Sequence, residues 1–188
     1  MSFEKLAVVG GGAWGTALAQ VAAAGGRETL LWALEDDVVA AVNAIHENPV
    51  YLKGLKLDPA IRATGNFSEL AEADAWLVVT PAQHMRSVLE RGASMGKPLV
   101  LCSKGIEERS GKLLHEVAHE VCPGSPVAAL SGPTFAHEVA AGLPTAVTLA
   151  CEDRELGEAL RARINLPSFR TYCTDDVAGA EVGGAVKN

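Results

Sequence analysis

Short, almost wholly apolar runs alternate with longer amphipathic ones along this chain. Residues 5–10 (KLAVVG) form an apolar run ending in glycines, and 13–24 form an alanine-rich helical stretch closed by Gly25 and Gly26. A second strand is predicted at 28–33 (ETLLWA) and a helix at 35–45, with two acids in its first turn to suit the helix dipole. Residues 48–59 read as a loop carrying Pro49, Gly54 and Pro59. Further strands are predicted at 61–64, 75–80, 98–103, 127–130, 145–150 and 169–173. Pro81 is placed at the first position of the next helix, and other helices are predicted at 111–121, from the SGPTF stretch to 141, at 154–163 and from Asp175 onward. Apolar strands alternating with helices imply a sheet covered on both faces. Ligands of such sheets bind at the carboxyl ends of the strands, near a topological switch point.

The candidate chemistry falls at those strand ends. Gly10-Gly11-Gly12-Ala13-Trp14-Gly15 is a G-x-G-x-x-G that follows the first strand and opens a helix. Gly10 permits the tight turn, Gly12 lets a pyrophosphate approach the backbone, and Gly15 lets helix and strand pack closely. The backbone N–H groups of the helix start, from Ala13 and Trp14 onward, face the phosphate charge. The Trp14 ring itself is expected to pack the first helical turn. With this loop in place, the fold class expected is α/β: a doubly wound, mostly parallel Rossmann-type sheet with helices on both faces. The ribose discriminator of that class lies ~20 residues beyond the loop. There the sequence reads Trp32-Ala33-Leu34-Glu35-Asp36-Asp37. Glu35 is the best candidate to accept from both ribose hydroxyls. No arginine stands there to pair with a 2′-phosphate, and the carboxylates repel one, so NAD is favoured over NADP. The bland alternative, acids that merely decorate a helix start, fits Asp36 and Asp37 and stands beside the ribose role for Glu35.

Composition narrows the partners. The chain has 188 residues, 48% hydrophobic and 21% charged, and a formal charge of -7. That balance suits a globular core and argues against nucleic-acid binding by bulk electrostatics. No apolar segment approaches the ~20 residues of a membrane span, so no membrane insertion is expected. Cys102, Cys122, Cys151 and Cys173 form no C-x-x-C pair and sit in mostly apolar stretches. Reduced, buried thiols and a cytoplasmic location are expected. His115-Glu116-Val117-Ala118-His119 is a literal H-E-x-x-H, the spacing of a zinc site on a helix. The apolar face of that helix is Leu113, Leu114, Val117, Ala118 and Val121, which leaves both histidines mostly on a solvated polar face. No metal is expected. His46 and His84 lie near helix ends and carry no signal.

Five stretches resemble the NAD(P)-dependent glycerol-3-phosphate dehydrogenase family: GGGAWGTALA (10–19), ENPVYLKGLKL (47–57), SKGIE (103–107), SGPTFAHEVAAGLPTA (131–146) and GGAVKN (183–188). They span the chain in the family's order and spacing. The resemblance implies that Lys104 contacts cofactor and substrate, and that Gly132, Thr134 and Ala136 lie beside substrate and nicotinamide. It implies that Lys187 is the catalytic lysine and that Leu34 lies near the adenosine ribose. Pro81 and the loop residues complete the implied cofactor site. Leucine at position 34 departs from the polar or basic residue of many bacterial members, which again favours NAD. The implied reaction interconverts dihydroxyacetone phosphate and sn-glycerol 3-phosphate, feeding phospholipid synthesis. Hydride transfer to a ketone builds charge on the carbonyl oxygen, and a lysine whose pKa is lowered by burial and by a second lysine can serve as proton donor. Lys104 and Lys187 are the candidate pair, and each attracts a substrate phosphate.

The family's second half is a helical domain that closes over the substrate. Residues 1–174 are therefore expected to form the dinucleotide-binding domain, and 175–188 the start of the helix leading into a C-terminal helical domain absent from this chain. This chain is expected to bind dinucleotide and to turn over substrate poorly or not at all alone. The longer enzyme is expected to be a homodimer. Two other readings stand: another dehydrogenase of the β-hydroxyacid superfamily, and a non-catalytic dinucleotide-binding module.

Overall fold

The computed structural model describes residues 3–186. Its strands are β1 (Leu6–Val9), β2 (Thr29–Trp32), β3 (Ile61–Thr64), β4 (Ala75–Val78), β5 (Leu99–Leu101), β6 (Val127–Ser131), β7 (Thr145–Ala150) and β8 (Phe169–Thr174). They form one sheet in the order β3-β2-β1-β4-β5-β6-β7-β8. The first six pair in parallel, β7 runs antiparallel to β6, and β8 runs parallel to β7. The order reverses between β1 and β4, so the switch point lies beside the glycine loop. The doubly wound, mostly parallel sheet expected from the sequence is the observed one.

The helices are α1 (Ala13–Ala23), α2 (Asp36–Ile45), α3 (Ala82–Glu90), α4 (Leu114–Val121), α5 (Ala136–Ala140), α6 (Arg154–Ile164) and α7 (Val177–Val186). Strand pleating divides the core in two, because successive side chains point to opposite faces. Leu6 and Val8 pack in a layer with residues of α1, α2 and α6, whereas Ala7 and Val9 pack with residues of α3 and α4. All four residues of β1, β2 and β4 are buried, which is why these runs carry no polar alternation. β8 differs: Phe169 and Thr171 are buried while Arg170 and Tyr172 are exposed, as an edge strand with one open face requires. In the second layer, the Phe67 ring lies edge-on to Trp32 at 5.2 Å and to Trp76 at 5.6 Å. The Arg91 guanidinium covers Trp32 and Phe67 at 5.1 and 4.6 Å.

Local departures from the sequence reading have identifiable causes. Pro81 is the N-cap of α3, one position earlier than expected, with an extended ψ of 140°. The helix expected from residue 111 starts at Leu114, because Gly111 adopts a φ of 71° and a short bridge joins Ile106 to Leu113. Short 3₁₀ turns at Phe67–Glu72 and Ala93–Met95 were not foreseen. Three cysteines are buried, but Cys173 on the edge strand is exposed, contrary to expectation. His115 also departs from the polar-face reading. Its Nδ1 lies 2.7 Å from Glu181 Oε2 on α7, and its backbone N–H donates to Glu181 Oε1 at 3.0 Å. Glu181 thus caps the first turn of α4 from outside that helix. Among the described residues, no group of three or more His, Cys, Asp or Glu side chains is placed to hold a metal ion.

Two charged clusters tie distant segments together. Arg163, at the end of α6, is buried, and burial pushes its pKa down. Its guanidinium donates to the carbonyls of Phe3 at 2.8 Å, Ala22 at 2.7 Å and Glu4 at 3.3 Å. It thereby satisfies an acceptor near the carboxyl end of α1 and ties the late α6 to the segment that leads into β1. Glu107 is the buried acid of the loop after β5, and it accepts from Arg86 Nε and Nη2, both at 2.9 Å, and from the Ser110 hydroxyl. These donors lower its pKa from the ordinary 4.5 to about 2, with the Arg86 hydrogen bonds contributing most.

Replacing Arg163 by Met leaves two buried carbonyls without a donor, and we expect a loss of about 2–3 kcal/mol of unfolding free energy. A urea titration followed by tryptophan fluorescence reads this as a lower midpoint at unchanged slope. The Glu107 ion pair contributes stability that is complete above the ordinary carboxylate pKa of 4.5 and disappears as pH falls towards about 2. A Glu107→Gln variant should therefore lose stability at neutral pH and show a shallower fall between those pH values; an unchanged acid profile would contradict the assignment.

Candidate cofactor cleft

The carboxyl ends of β1, β2, β4 and β5 open into one cleft of about 600 Å³, within the usual range for small-molecule sites. Gly10, Gly12, Ala13, Trp14, Gly15, Leu34, Glu35, Pro81, Lys104, Thr134 and Ala136 all line it. Gly132, expected beside them, lines a neighbouring hollow between the end of β6 and α7, together with Ser131 and Gly184. Its carbonyl accepts from Lys104 Nζ at 2.9 Å, so the two are still in contact. Lys187 lies outside the described residues.

Each loop glycine meets a different demand. Gly10 has a φ of 130°, where a side chain is strained, and a Cβ there would lie 2.9 Å from the Val79 carbonyl oxygen. At position 15 a Cβ would fall 1.8 Å from the Gly10 carbonyl oxygen, so α1 crosses β1 in van der Waals contact only because that residue is bare. Gly12 is the opposite case: a Cβ would meet nothing within 4 Å. The space above Gly12 is cleft, not protein. Gly12 is also the N-cap of α1, where no side chain caps the first turn. The donors of that turn are left for a ligand, and the helix dipole favours an anion there.

The remaining walls combine apolar surface with a few polar atoms. Trp14 Nε1 donates to the Cys102 carbonyl at 3.3 Å, which pins the start of α1 to the end of β5. The Thr80 hydroxyl is buried in the wall and has no hydrogen-bond partner. Leu34 is 71% exposed, a large apolar side chain on the cleft lip. Beside it, Glu35 accepts from the Tyr51 hydroxyl at 2.7 Å. That hydrogen bond to Glu35 pushes the Tyr51 pKa up, which keeps the phenol protonated.

Tyr51 arrives on a turn held by one buried amide. Asn48, fully buried, donates to the Gly11 carbonyl at 2.9 Å and the Thr16 hydroxyl at 2.8 Å. Its own Oδ1 accepts from the Tyr51 N–H at 3.1 Å. Sequence reasoning assigned no site role to Trp32, Tyr51, Thr80, His84, Val88 or Ser103, all of which line the cleft. Position after a strand could have flagged Thr80 and Ser103. Tyr51 belongs to a loop whose path no periodicity predicts, and His84 had been dismissed as a helix-end residue.

The cleft suits an elongated, anionic ligand. It offers a bare glycine floor, uncapped helix donors, an unpartnered buried hydroxyl and a cation at one end, and a carboxylate at the other. Nicotinamide dinucleotides have this chemistry: a pyrophosphate for the loop and a ribose diol for the carboxylate. Comparisons with known proteins agree. The model of the NAD-dependent glycerol-3-phosphate dehydrogenase N-terminus matches residues 5–157. A glycerol-3-phosphate dehydrogenase [NAD(P)+] of Parvibaculum lavamentivorans is 59% identical over 100% of this chain and 57% of its own length. One from Erythrobacter litoralis is 60% identical over 98% of this chain and 56% of its own. The crystal structure of glycerol-3-phosphate dehydrogenase from Coxiella burnetii superposes with a TM-score of 0.90 at 34% identity, over 96% of this chain and 57% of that one. This chain thus spans a little over half the length of these relatives. It belongs to the NAD-dependent glycerol-3-phosphate dehydrogenase family, and what it carries is that family's N-terminal part.

Proposed function

We propose that this chain is the cofactor-binding part of an oxidoreductase that interconverts dihydroxyacetone phosphate and sn-glycerol 3-phosphate. Residues 1–174 would be the dinucleotide-binding domain, and 175–188 would begin the passage to a substrate domain. The observation that carries the reading is Gly12, an N-cap open to the cleft between two glycines that sterics keep closed. A nicotinamide, when bound, supplies or accepts the hydride. The protein binds and orients. The backbone of Gly10, Gly12, Ala13, Trp14 and Gly15 holds the pyrophosphate, and Leu34 and Glu35 hold the adenosine ribose. Pro81 and Ala136 border the nicotinamide half. NAD is the favoured cofactor, with NADP the alternative.

Lys104 leaves β5 at the sheet's carboxyl edge, tethered to the Gly132 carbonyl at 2.9 Å. Gly132 and Thr134 flank it from the following loop, where the Thr134 N–H donates to the same carbonyl at 3.0 Å. In this reading the cation stands where a ketone oxygen or a phosphate would gather charge. Lys187, the proton donor and acceptor in this reading, rests on the GGAVKN motif alone. The longer protein would be a homodimer in the cytoplasm, a compartment that suits four unpaired thiols. The other β-hydroxyacid dehydrogenases and a non-catalytic module share the fold, but the family match favours this reading.

A fluorescence titration with NADH tests the site directly. Gly12→Ala should keep its fold, because its Cβ is unopposed. It should nevertheless weaken NADH at least about tenfold, or about 1.4 kcal/mol, by filling the phosphate approach. Gly15→Ala should instead lower thermal stability. NADH affinity untouched by Gly12→Ala would overturn the phosphate assignment.

A further inference from the structure

Glu35 is not an isolated acid at a helix start. It accepts the Tyr51 proton at 2.7 Å, and both residues line the cleft at the end of β2. Tyr51 is itself located by Asn48, which takes the Tyr51 N–H on Oδ1 and sends its amide protons to Gly11 and Thr16. The Leu52 N–H closes the turn on the Asn48 carbonyl at 2.9 Å. One buried amide therefore holds the phosphate loop and the phenol in fixed relation. The ring projects from this turn with 43% of the residue exposed, so its hydroxyl is its chief tie to Glu35.

This geometry has a consequence for ligand choice. The phenol has a single proton, and Glu35 holds it. Towards the cleft the pair then offers acceptors only: the free carboxylate oxygen and the lone pairs of the phenolic oxygen. Two adjacent acceptors match a vicinal diol, which brings two donors. A phosphate monoester dianion brings none and meets a fixed negative charge. A free tyrosine hydroxyl could turn and donate to such a phosphate; one committed to a carboxylate does not. The raised Tyr51 pKa, caused first by the Glu35 hydrogen bond, agrees with a proton that stays in place.

Resting on the reading of the cleft as a dinucleotide site, we propose that Tyr51 is a specificity-positioning residue. Through its hydrogen bond to Glu35 it builds a two-acceptor receptor for an unmodified ribose diol and excludes a 2′-phosphorylated one.

Wild type, Tyr51→Phe, Glu35→Gln and the double variant are titrated with NADH and with NADPH. Wild type is expected to bind NADH more tightly. Tyr51→Phe keeps the ring and the turn. It should lower the NADH-over-NADPH preference about fivefold to tenfold, the net worth of one ordinary hydrogen bond, mainly through weaker NADH. In the Glu35→Gln background the same substitution should change the preference by less than about twofold, because a residue acting through another shows non-additivity. A merely structural role for Tyr51 would weaken both cofactors equally and leave their ratio alone, which overturns the proposal. So does a full Tyr51→Phe effect in the Glu35→Gln background. Failure of wild type to bind either cofactor would sink the dinucleotide reading itself, and this proposal with it.

Discussion

The crossing of α1 over β1 is the constraint from which the site follows. A single methyl group at position 15 would sit 1.8 Å from the Gly10 carbonyl oxygen, inside any tolerable contact. Because it is absent, α1 can start directly after the β1 turn, with Gly12 as an N-cap that no side chain closes. Everything else in the cleft is measured from that point. β2 and β4 flank β1 in register, so Leu34 and Glu35 emerge on one side and Thr80 and Pro81 on the other. Buried apolar strands need no side-chain specificity to achieve this placement, since parallel pairing with both faces covered fixes each strand's level.

A loop closes the arrangement. The 46–57 segment has no regular structure to hold it, yet it supplies the lip of the cleft. Asn48 solves this by taking a side-chain amide into the interior, where an unsatisfied polar group is costly. Its donors and its acceptor all find partners, so the burial is compensated. The same amide joins the Thr16 hydroxyl in donating to the Gly11 carbonyl of the tight turn, at 2.9 and 3.3 Å. Loop and turn are each completed by the other. At the far side of the molecule Arg163 works in the same way, spending its guanidinium on three carbonyls rather than on an acid. Charge here is used for its hydrogen-bond geometry, not for ion pairing.

The parts legible in the sequence were those set by local rules. Strand runs, glycine spacing and the position of Glu35 after the second strand follow from periodicity and turn chemistry, and the structure brings the glycine loop and Glu35 into one cleft. Tyr51 and Asn48 were visible only as members of a family-like motif, because their roles depend on a loop that folds back across 32 to 37 residues. His115 shows the opposite failure. Helical periodicity correctly put it off the apolar face of α4, but periodicity cannot say that another helix will cover the polar face with Glu181. The antiparallel pairing of β7 with β6 was equally invisible, since strand direction leaves no mark on composition. Lys187 falls beyond the described residues, so its role stands on the motif.

Electrostatics explains how a chain of charge -7 presents a site for an anion. Beyond a Debye length of about 8 Å, exposed charges are largely screened at physiological salt, so the net charge acts weakly at the cleft. Short-range features decide instead. The open turn of α1 and the Lys104 ammonium group both line the cleft, and helix-end donors exert their effect within the first turn. At the other end Glu35, Asp36 and Asp37 concentrate negative charge beside the lip. The cleft is thus polarised along its length. In the proposed reading a dinucleotide, with its pyrophosphate in the middle and neutral hydroxyls at the adenosine ribose, would lie along this gradient with its adenosine end at Glu35. The acids that make the chain acidic overall are therefore compatible with anion binding because they stand where the ligand is uncharged.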